Sequence, residues 1–133
     1  MKKFGFTLIE LLVVIAIVGI LVAVGSISYL TASKQSRDPR RKTDLEQIRQ
    51  ALETYRAETS LYLTTAQGTG LLDPNYISVV PIDPKGSAYQ YVGTTTSYSI
   101  CSYLEIAPTA YTKPSACTMS CGTGTCNYGV TNP

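Results

Sequence analysis

The sequence predicts an α+β protein in which one long N-terminal helix packs on a small antiparallel β-sheet, followed by a disulfide-bonded C-terminal region. Three observations support this fold class. A long apolar run opens the chain, an amphipathic helical pattern follows it, and the later part combines short strand patterns with all four cysteines. At 133 residues the chain has the length of one domain. Beyond the helix, roughly 75 residues remain for a globular part, which is small for a self-sufficient core.

The first element is the uninterrupted apolar run from Leu11 to Val24. From Phe6 to Leu30 the only charged residue is Glu10. A helix of that length rises roughly 37 Å, which is enough to cross the hydrocarbon core of a bilayer. A lone carboxylate in such a helix costs on the order of 2.5 to 3.5 kcal/mol, so we expect it to have a partner, which need not belong to this chain.

The residues Met1-Lys2-Lys3-Phe4-Gly5, followed by Phe6-Thr7-Leu8-Ile9-Glu10 and an aliphatic run, closely resemble the class III signal of type IV pilins and type II secretion pseudopilins. The resemblance implies the type IV pilin fold and cleavage by a prepilin peptidase after Gly5, with N-methylation of the new terminal residue Phe6. It also implies that Glu10 meets the terminal amine of a neighbouring subunit. Two opposite charges that both enter a low-dielectric filament core neutralise each other there.

Two plainer interpretations compete with this resemblance. One is an ordinary secretory signal peptide cleaved after residues 23–25, and the other is an uncleaved single-pass anchor. Glu10 argues against the signal peptide, because an acidic residue serves no purpose in a discarded apolar segment. N-terminal sequencing separates the three possibilities, since the protein would begin at Phe6, Ser26 or Met1.

The predicted organisation has four parts: a leader at 1–5, a transmembrane or filament-core helix at 6–33, an amphipathic helical half at 34–60 and a globular part at 61–133. In the third part, Asp38-Pro39 either kinks one continuous helix, which we favour, or starts a new one. One helical face then carries apolar residues every three or four positions: Leu45, Ile48, Leu52 and Tyr55.

Five basic residues follow the apolar run: Lys34, Arg37, Arg40, Arg41 and Lys42. We expect them to lie at lipid headgroups before assembly and to form solvated or inter-subunit ion pairs afterwards. Nucleic acid is a second possible partner, although no aromatic side chain is interleaved to stack bases. The positive-inside rule alone would place the far end of the run in the cytoplasm, but the cysteines and the leader favour an exterior C-terminus.

Two strand patterns, at 88–92 and 98–105, are joined by a short loop of Gly, Thr and Ser and predict an antiparallel hairpin. In the second pattern Tyr98, Ile100 and Leu104 share the face toward the helix. Before the hairpin, Pro81 and Pro84 stop strand pairing. A further short strand is expected near 127–130.

Four cysteines, Cys101, Cys117, Cys121 and Cys126, predict two disulfides with three possible connectivities. A zinc site of four thiolates is the alternative, but the spacing lacks paired Cys-x2-Cys motifs. Asp83 raises the question of a calcium site, and the sequence after Glu105 holds no acidic residue to complete one. We therefore expect neither a metal nor a cofactor.

Composition adds little about partners. The formal charge is +2, and loss of the two leader lysines leaves nine basic and nine acidic residues. Histidine is absent, and no P-loop, Gly-x-Ser-x-Gly or His-Glu-x-x-His motif is present, so we expect no enzyme and no catalytic residue.

The sequence thus predicts a pilin, the structural subunit of a surface filament of the type IV pilus family. Its expected partners are copies of itself in a helical filament, a prepilin peptidase, an inner-membrane assembly platform and, before assembly, membrane lipid. One alternative is a type II secretion pseudopilin in a periplasmic filament, or a competence pilus. An alternative of another class is an exported binding module on a membrane anchor.

Overall fold

The computed structural model describes residues 5–72, 74–109 and 111–133, without the side chains at positions 27 and 71. Its elements, in chain order, are helix α1 (Leu8–Thr59), a 3-10 helix (Thr69–Leu72), and strands β1 (Gln90–Gly93), β2 (Tyr98–Ser102) and β3 (Tyr128–Thr131). The chain divides into a first unit that ends at Gln35 and a second unit from Ser36 to Pro133. The α+β class is confirmed, and the leader residues Met1 to Phe4 lie outside the described residues.

The first unit consists mainly of the apolar part of α1. Its large apolar side chains are strongly exposed, from 49% for Val13 to 83% for Phe6. The most apolar window of the helix has a mean hydropathy of 3.0 and is long enough to cross a membrane. A helix that is apolar all round is typical of a membrane span or of the core of a larger assembly.

In the second unit, α1 continues through Pro39 without a break. The prediction of one continuous helix is therefore confirmed, and the alternative of a new helix starting at Pro39 is wrong. The kink at Asp38-Pro39 stays a prediction. Proline donates no backbone hydrogen bond, and the bond that is missing here is the one to the carbonyl of Gln35. The predicted apolar face is confirmed as well, because its central residues are at most 1% exposed: Leu45, Ile48 and Leu52.

The sheet has three antiparallel strands in the order β1-β2-β3. The predicted hairpin is confirmed, although β1 begins two residues later than expected and includes Gly93, which was expected in the loop and lies opposite Tyr98 at the closed end. Tyr98 and Ile100 belong to the core formed with the apolar face of α1. Strand β2 ends at Ser102 rather than at residue 105, because the backbone of Leu104 turns to bond the side chain of Asn127, at 2.7 Å and 2.9 Å.

The C-terminal region is covalently pinned to the sheet. Of the three possible connectivities, the chain has Cys101–Cys117 and Cys121–Cys126. Strand β3 confirms the short strand expected near 127–130 and pairs with β2, with Gly129 opposite Cys101. The bridges form a second small cluster on the far face of β2, so both faces of that strand are buried.

Tyrosine hydroxyls fasten the sheet and loops to the acidic residues of α1. Tyr89 donates a hydrogen bond to Asp44 at 2.6 Å, and Tyr98 donates one to Glu53 at 2.9 Å. Burial, followed by the neighbouring carboxylate, raises the pKa of both tyrosines. Tyr76 makes the equivalent bond to Glu58 at 2.7 Å.

Candidate processing and assembly site

The helix of the first unit begins with a capping box. Thr7 is the N-cap residue, and its side-chain oxygen accepts a hydrogen bond from the backbone N–H of Glu10 at 3.4 Å. In return, Glu10 Oε2 accepts bonds from the Thr7 backbone N–H at 2.8 Å and from its hydroxyl at 2.7 Å. This is the reciprocal arrangement of a Thr-x-x-Glu helix start. Sequence reasoning missed the role of Thr7, although the spacing in Thr7-Leu8-Ile9-Glu10 would have revealed it.

The carboxylate of Glu10 therefore has a partner within its own chain. Both bonds from Thr7 reach the same oxygen, Oε2. Within the described ranges, no hydrogen bond reaches the other oxygen, Oε1. Glu10 lies in a shallow and otherwise apolar groove on the helix, lined by Phe6, Ile9, Val13 and Val14. One carboxylate oxygen can thus receive a donor from another molecule without loss of the cap.

The predicted scissile bond lies just before the helix. Gly5, Phe6 and Thr7 are not helical, and α1 begins at Leu8. Phe6 is 83% exposed, and, chain neighbours aside, no atom of the described residues lies within 4 Å of the position that a side chain at Gly5 would occupy. The described residues therefore leave the peptide bond after Gly5 open to a peptidase. Cleavage there and N-methylation of Phe6 remain predictions.

The basic cluster after the apolar run is partly used inside the chain. Arg41 is only 1% exposed and contacts three carboxylates: Asp83 at 2.5 Å, Asp38 at 2.8 Å and Glu105 at 3.1 Å. Arg37 binds Glu105 through two nitrogens, at 2.7 Å and 2.9 Å. The expectation that this cluster is solvated or pairs between subunits is wrong for Arg41, because its acidic partners belong to the same chain: Asp38 on the same helix, and Asp83 and Glu105 from later segments.

This ion-pair network joins three segments of the second unit. Lys85 reaches Glu105 at 3.2 Å, and Asp38 also accepts the backbone N–H groups of Glu105 and Ile106, at 3.0 Å and 2.8 Å. The network contains three cations and three carboxylates: Arg37, Arg41, Lys85, Asp38, Asp83 and Glu105. Its charges balance, which is what allows so many ionic groups to be partly buried together.

The ion pairs shift the pKa values of the carboxyl groups. Hydrogen bonds from Arg37 outweigh the effect of burial and, together with Lys85 and Arg41, lower the pKa of Glu105 to about 2. Burial alone would raise the pKa of Asp83, but the bond from Arg41 and the backbone N–H of Lys85 lower it overall.

These contacts also occupy side chains that were considered for binding calcium or nucleic acid. Asp83, weighed as a calcium ligand, gives both oxygens to Arg41, at 2.5 Å and 3.0 Å. In the part of the chain that the structure describes, no group of three or more His, Cys, Asp or Glu side chains is placed so that it could hold a metal ion. For nucleic acid, Arg41 is unavailable, and Lys42 lies over the ring of Tyr128 at 5.4 Å. The cationic surface available to a polyanion is smaller than the sequence suggested.

Comparison with known proteins gives consistent results along most of the chain. The profile of the prokaryotic N-terminal methylation motif matches residues 1–26. The type II secretion system core protein G of Pseudomonas aeruginosa is 34% identical over 109 residues, covering 71% of this chain and 77% of that protein. The core protein G of Vibrio cholerae is 34% identical over 68% of this chain and 71% of its own length. That of Escherichia coli is 31% identical over 68% and 72%. No solved structure matches the chain significantly.

Proposed function

This chain belongs to the pilin and pseudopilin family, with type II secretion core proteins G among its relatives, and from that premise we propose that it is a structural subunit of a type II secretion pseudopilus. In this role it is made as a membrane precursor, cleaved after Gly5 and polymerised into a periplasmic filament. The relatives favour this function over the surface pilus that the sequence alone led us to prefer. The disulfides do not distinguish a secretion pseudopilus from a surface pilus, because disulfides are stable both in the periplasm and at the cell surface.

The exposed apolar helix of the first unit carries the proposal. The large apolar side chains that the structure describes between Phe6 and Leu30 are about half exposed or more. Contiguous apolar surface of this extent is costly in water and marks a surface that is buried elsewhere. Lipid covers it in the precursor, and the helices of identical copies cover it in the filament. Because lipid and neighbouring helices are both apolar, the apolar surface of the helix does not favour one of these environments over the other. The polar groups at the N-terminus are what make the filament different from the bilayer.

The capping box supplies the chemistry at that N-terminus. Cleavage after Gly5 creates an ammonium group on Phe6, one residue before the N-cap Thr7. In the filament, Glu10 Oε1 accepts a hydrogen bond from the terminal ammonium group of a neighbouring copy. Oε2 keeps the hydrogen bonds that it accepts from Thr7. A charged hydrogen bond of this kind is strong in a low-dielectric core, and it fixes how far one helix is displaced along the next.

The partners follow from the same steps. A prepilin peptidase cleaves and methylates the precursor at the inner membrane, an assembly platform there extracts each subunit from the bilayer, and further copies of the chain receive it. The second unit remains outside the cytoplasm, where Cys101–Cys117 and Cys121–Cys126 are stable. A membrane-anchored binding module is the remaining alternative.

The test compares Glu10→Ala with Glu46→Ala in cells that depend on the protein. We expect Glu10→Ala to be cleaved to Phe6 but absent from sheared or overproduced filaments. Glu46 lies on the same helix in an exposed ion pair with Arg49, so Glu46→Ala should assemble like the natural protein. N-terminal sequencing of the natural protein should give methylated Phe6.

Three outcomes would contradict the proposal. A mature N-terminus at Met1 or Ser26 would support an anchor or a signal peptide instead. Normal function of Glu10→Ala without filaments would favour a tethered module. Loss of surface fibres with undisturbed export of secreted enzymes, after deletion of the gene, would support the surface pilus.

A further inference from the structure

Both outer strands of the sheet carry a glycine whose backbone is bound by a hydroxyl from a loop. On β1, Gly93 donates its N–H to Thr65 Oγ1 at 2.8 Å, and its carbonyl accepts bonds from the Thr65 N–H at 2.9 Å and hydroxyl at 3.0 Å. On β3, Gly129 donates its N–H to the Tyr111 hydroxyl at 3.2 Å, and its carbonyl accepts the proton of the same hydroxyl. None of these five hydrogen bonds belongs to the ladder between strands.

This exchange imitates strand pairing. In an antiparallel ladder, a residue donates its N–H to and accepts an N–H from the same partner residue. A bare strand edge offers those groups to any other chain and is a common route to edge-to-edge association. Thr65 bonds both the N–H and the carbonyl of Gly93, and Tyr111 bonds both groups of Gly129. Each covering residue therefore occupies the place of one paired residue on an added strand.

Glycine is required at both places because the covering segment lies so close. A side-chain carbon at Gly129 would lie 2.6 Å from Cys117 Sγ and 3.4 Å from Pro114 Cδ. At Gly93 it would overlap the carbonyl of Leu63. Any larger residue would push the covering segment away from the strand.

The cover over β3 is held in place from several sides. Cys117 is bonded covalently to Cys101 on β2, and the ring of Tyr111 packs on Tyr128 with centroids 4.7 Å apart. Lys113 donates to the carbonyl of Cys126 at 3.3 Å. We name the segment 111–117 the clasp. Its bridge to β2 prevents it from drifting off the edge that Tyr111 occupies.

We propose that Tyr111 and Thr65 close the two edges of the sheet against strand pairing with a second copy of this chain. Copies can then be crowded together without joining their sheets. Edge closure of this kind would operate in any setting that concentrates the protein, whether or not it forms a filament.

The first test measures amide hydrogen exchange in the full chain in detergent micelles, with Tyr111→Phe and Thr65→Val as variants. Tyr111→Phe keeps the ring and removes the hydroxyl, so exchange at Gly129 should accelerate roughly fivefold or more, with Gly93 unchanged. Thr65→Val should accelerate exchange at Gly93, whose N–H loses its acceptor, and leave exchange at Gly129 unchanged. Tyr103→Phe is the matched control, because no hydrogen bond to the Tyr103 hydroxyl occurs among the described residues.

The second test detects pairing between copies. A photo-crosslinking amino acid replaces the exposed Thr131 at the end of β3, in an equal mixture of ¹⁴N- and ¹⁵N-labelled chains. Mixed-isotope adducts that join two β3 segments should rise at least severalfold with Tyr111→Phe and stay at the natural level with Tyr103→Phe. Unchanged exchange at Gly129, faster exchange without more adducts, or equally abundant adducts in the natural protein would each overturn edge closure.

Discussion

Replacing Glu105 by glutamine should make the second unit less stable at neutral pH. It should also reduce the loss of stability that the second unit shows in acid. The substitution keeps the size of the side chain and removes its charge. In the natural chain the Glu105 carboxylate binds Arg37 at 2.7 Å, Arg41 at 3.1 Å and Lys85 at 3.2 Å, and its side chain is 7% exposed. Three cations therefore lose an ionic partner at once.

The size of the effect follows from the pKa. The network lowers the pKa of Glu105 from its ordinary value of 4.5 to about 2. Converted at 1.36 kcal/mol for each pKa unit, this would stabilise the folded state by about 3 kcal/mol at neutral pH. Arg37 and Lys85 are 28% and 37% exposed, so solvent screens part of the interaction. We expect a loss of about 2 kcal/mol in the free energy of unfolding for Glu105→Gln at pH 7.

The direction of the pH dependence is fixed by the sign of the shift. Because folding lowers the pKa of Glu105, its contribution is complete above the ordinary pKa and disappears as the pH falls toward 2. The natural protein should therefore lose stability between about pH 4.5 and pH 2, and Asp83, whose pKa is also lowered, adds to the loss. The difference in the free energy of unfolding between the natural protein and Glu105→Gln should therefore disappear over the same pH range.

The measurement is denaturant unfolding of the full chain in detergent micelles, followed by the near-ultraviolet circular dichroism of the tyrosines at neutral and acidic pH. The control is Glu46→Gln, since the Glu46–Arg49 pair is 41% and 40% exposed and should change stability by no more than about 0.5 kcal/mol. Equal stability of Glu105→Gln and the natural protein at pH 7 would refute the reasoning. So would a gap that persists unchanged at pH 2.

Three further predictions use the same unfolding measurement. Removing the bridge that spans 16 positions with the double change Cys101→Ser and Cys117→Ser should cost about 3 kcal/mol, and a loss below about 1 kcal/mol would show that the clasp is held without it. Gly129→Ala should cost about 1 to 3 kcal/mol, because its new methyl group would lie 2.6 Å from Cys117 Sγ; unchanged stability would mean that the clasp moves away freely. Tyr98→Phe removes the 2.9 Å bond to Glu53 from a side chain that is 2% exposed and should cost about 1 kcal/mol, whereas a stabilised variant would contradict the role given to that hydroxyl.

Local patterns were sufficient to predict the elements of this fold. The apolar run, the face with Leu45, Ile48 and Leu52, and the hairpin expected from 88–92 and 98–105 depend on neighbours a few positions apart, and each of these elements was confirmed. Strand β2 was predicted three residues too long, since its end is decided by Asn127, which lies 23 positions from Leu104.

The ion-pair network could not be read from the sequence. Arg41 meets Asp83 and Glu105 across 42 and 64 positions, and no periodicity relates residues so far apart. The same holds for the disulfide pairing, where spacing left three connectivities open. The capping box is different: Thr7 and Glu10 are three positions apart, so their spacing alone was sufficient to predict this helix-start motif.

The bonds between tyrosine hydroxyls and the acids of α1 set an alkaline limit on the second unit. Folding raises the pKa of Tyr89 and Tyr98, so their contribution is complete below the ordinary value of 10 and is lost as the pH climbs above it. Burial and the neighbouring carboxylates Asp44 and Glu53 disfavour the ionised form of these two phenols in the folded protein. On titration with base, the phenolate absorbance of Tyr89 and Tyr98 should therefore rise together with unfolding. That rise provides an optical signal of unfolding that requires no added label.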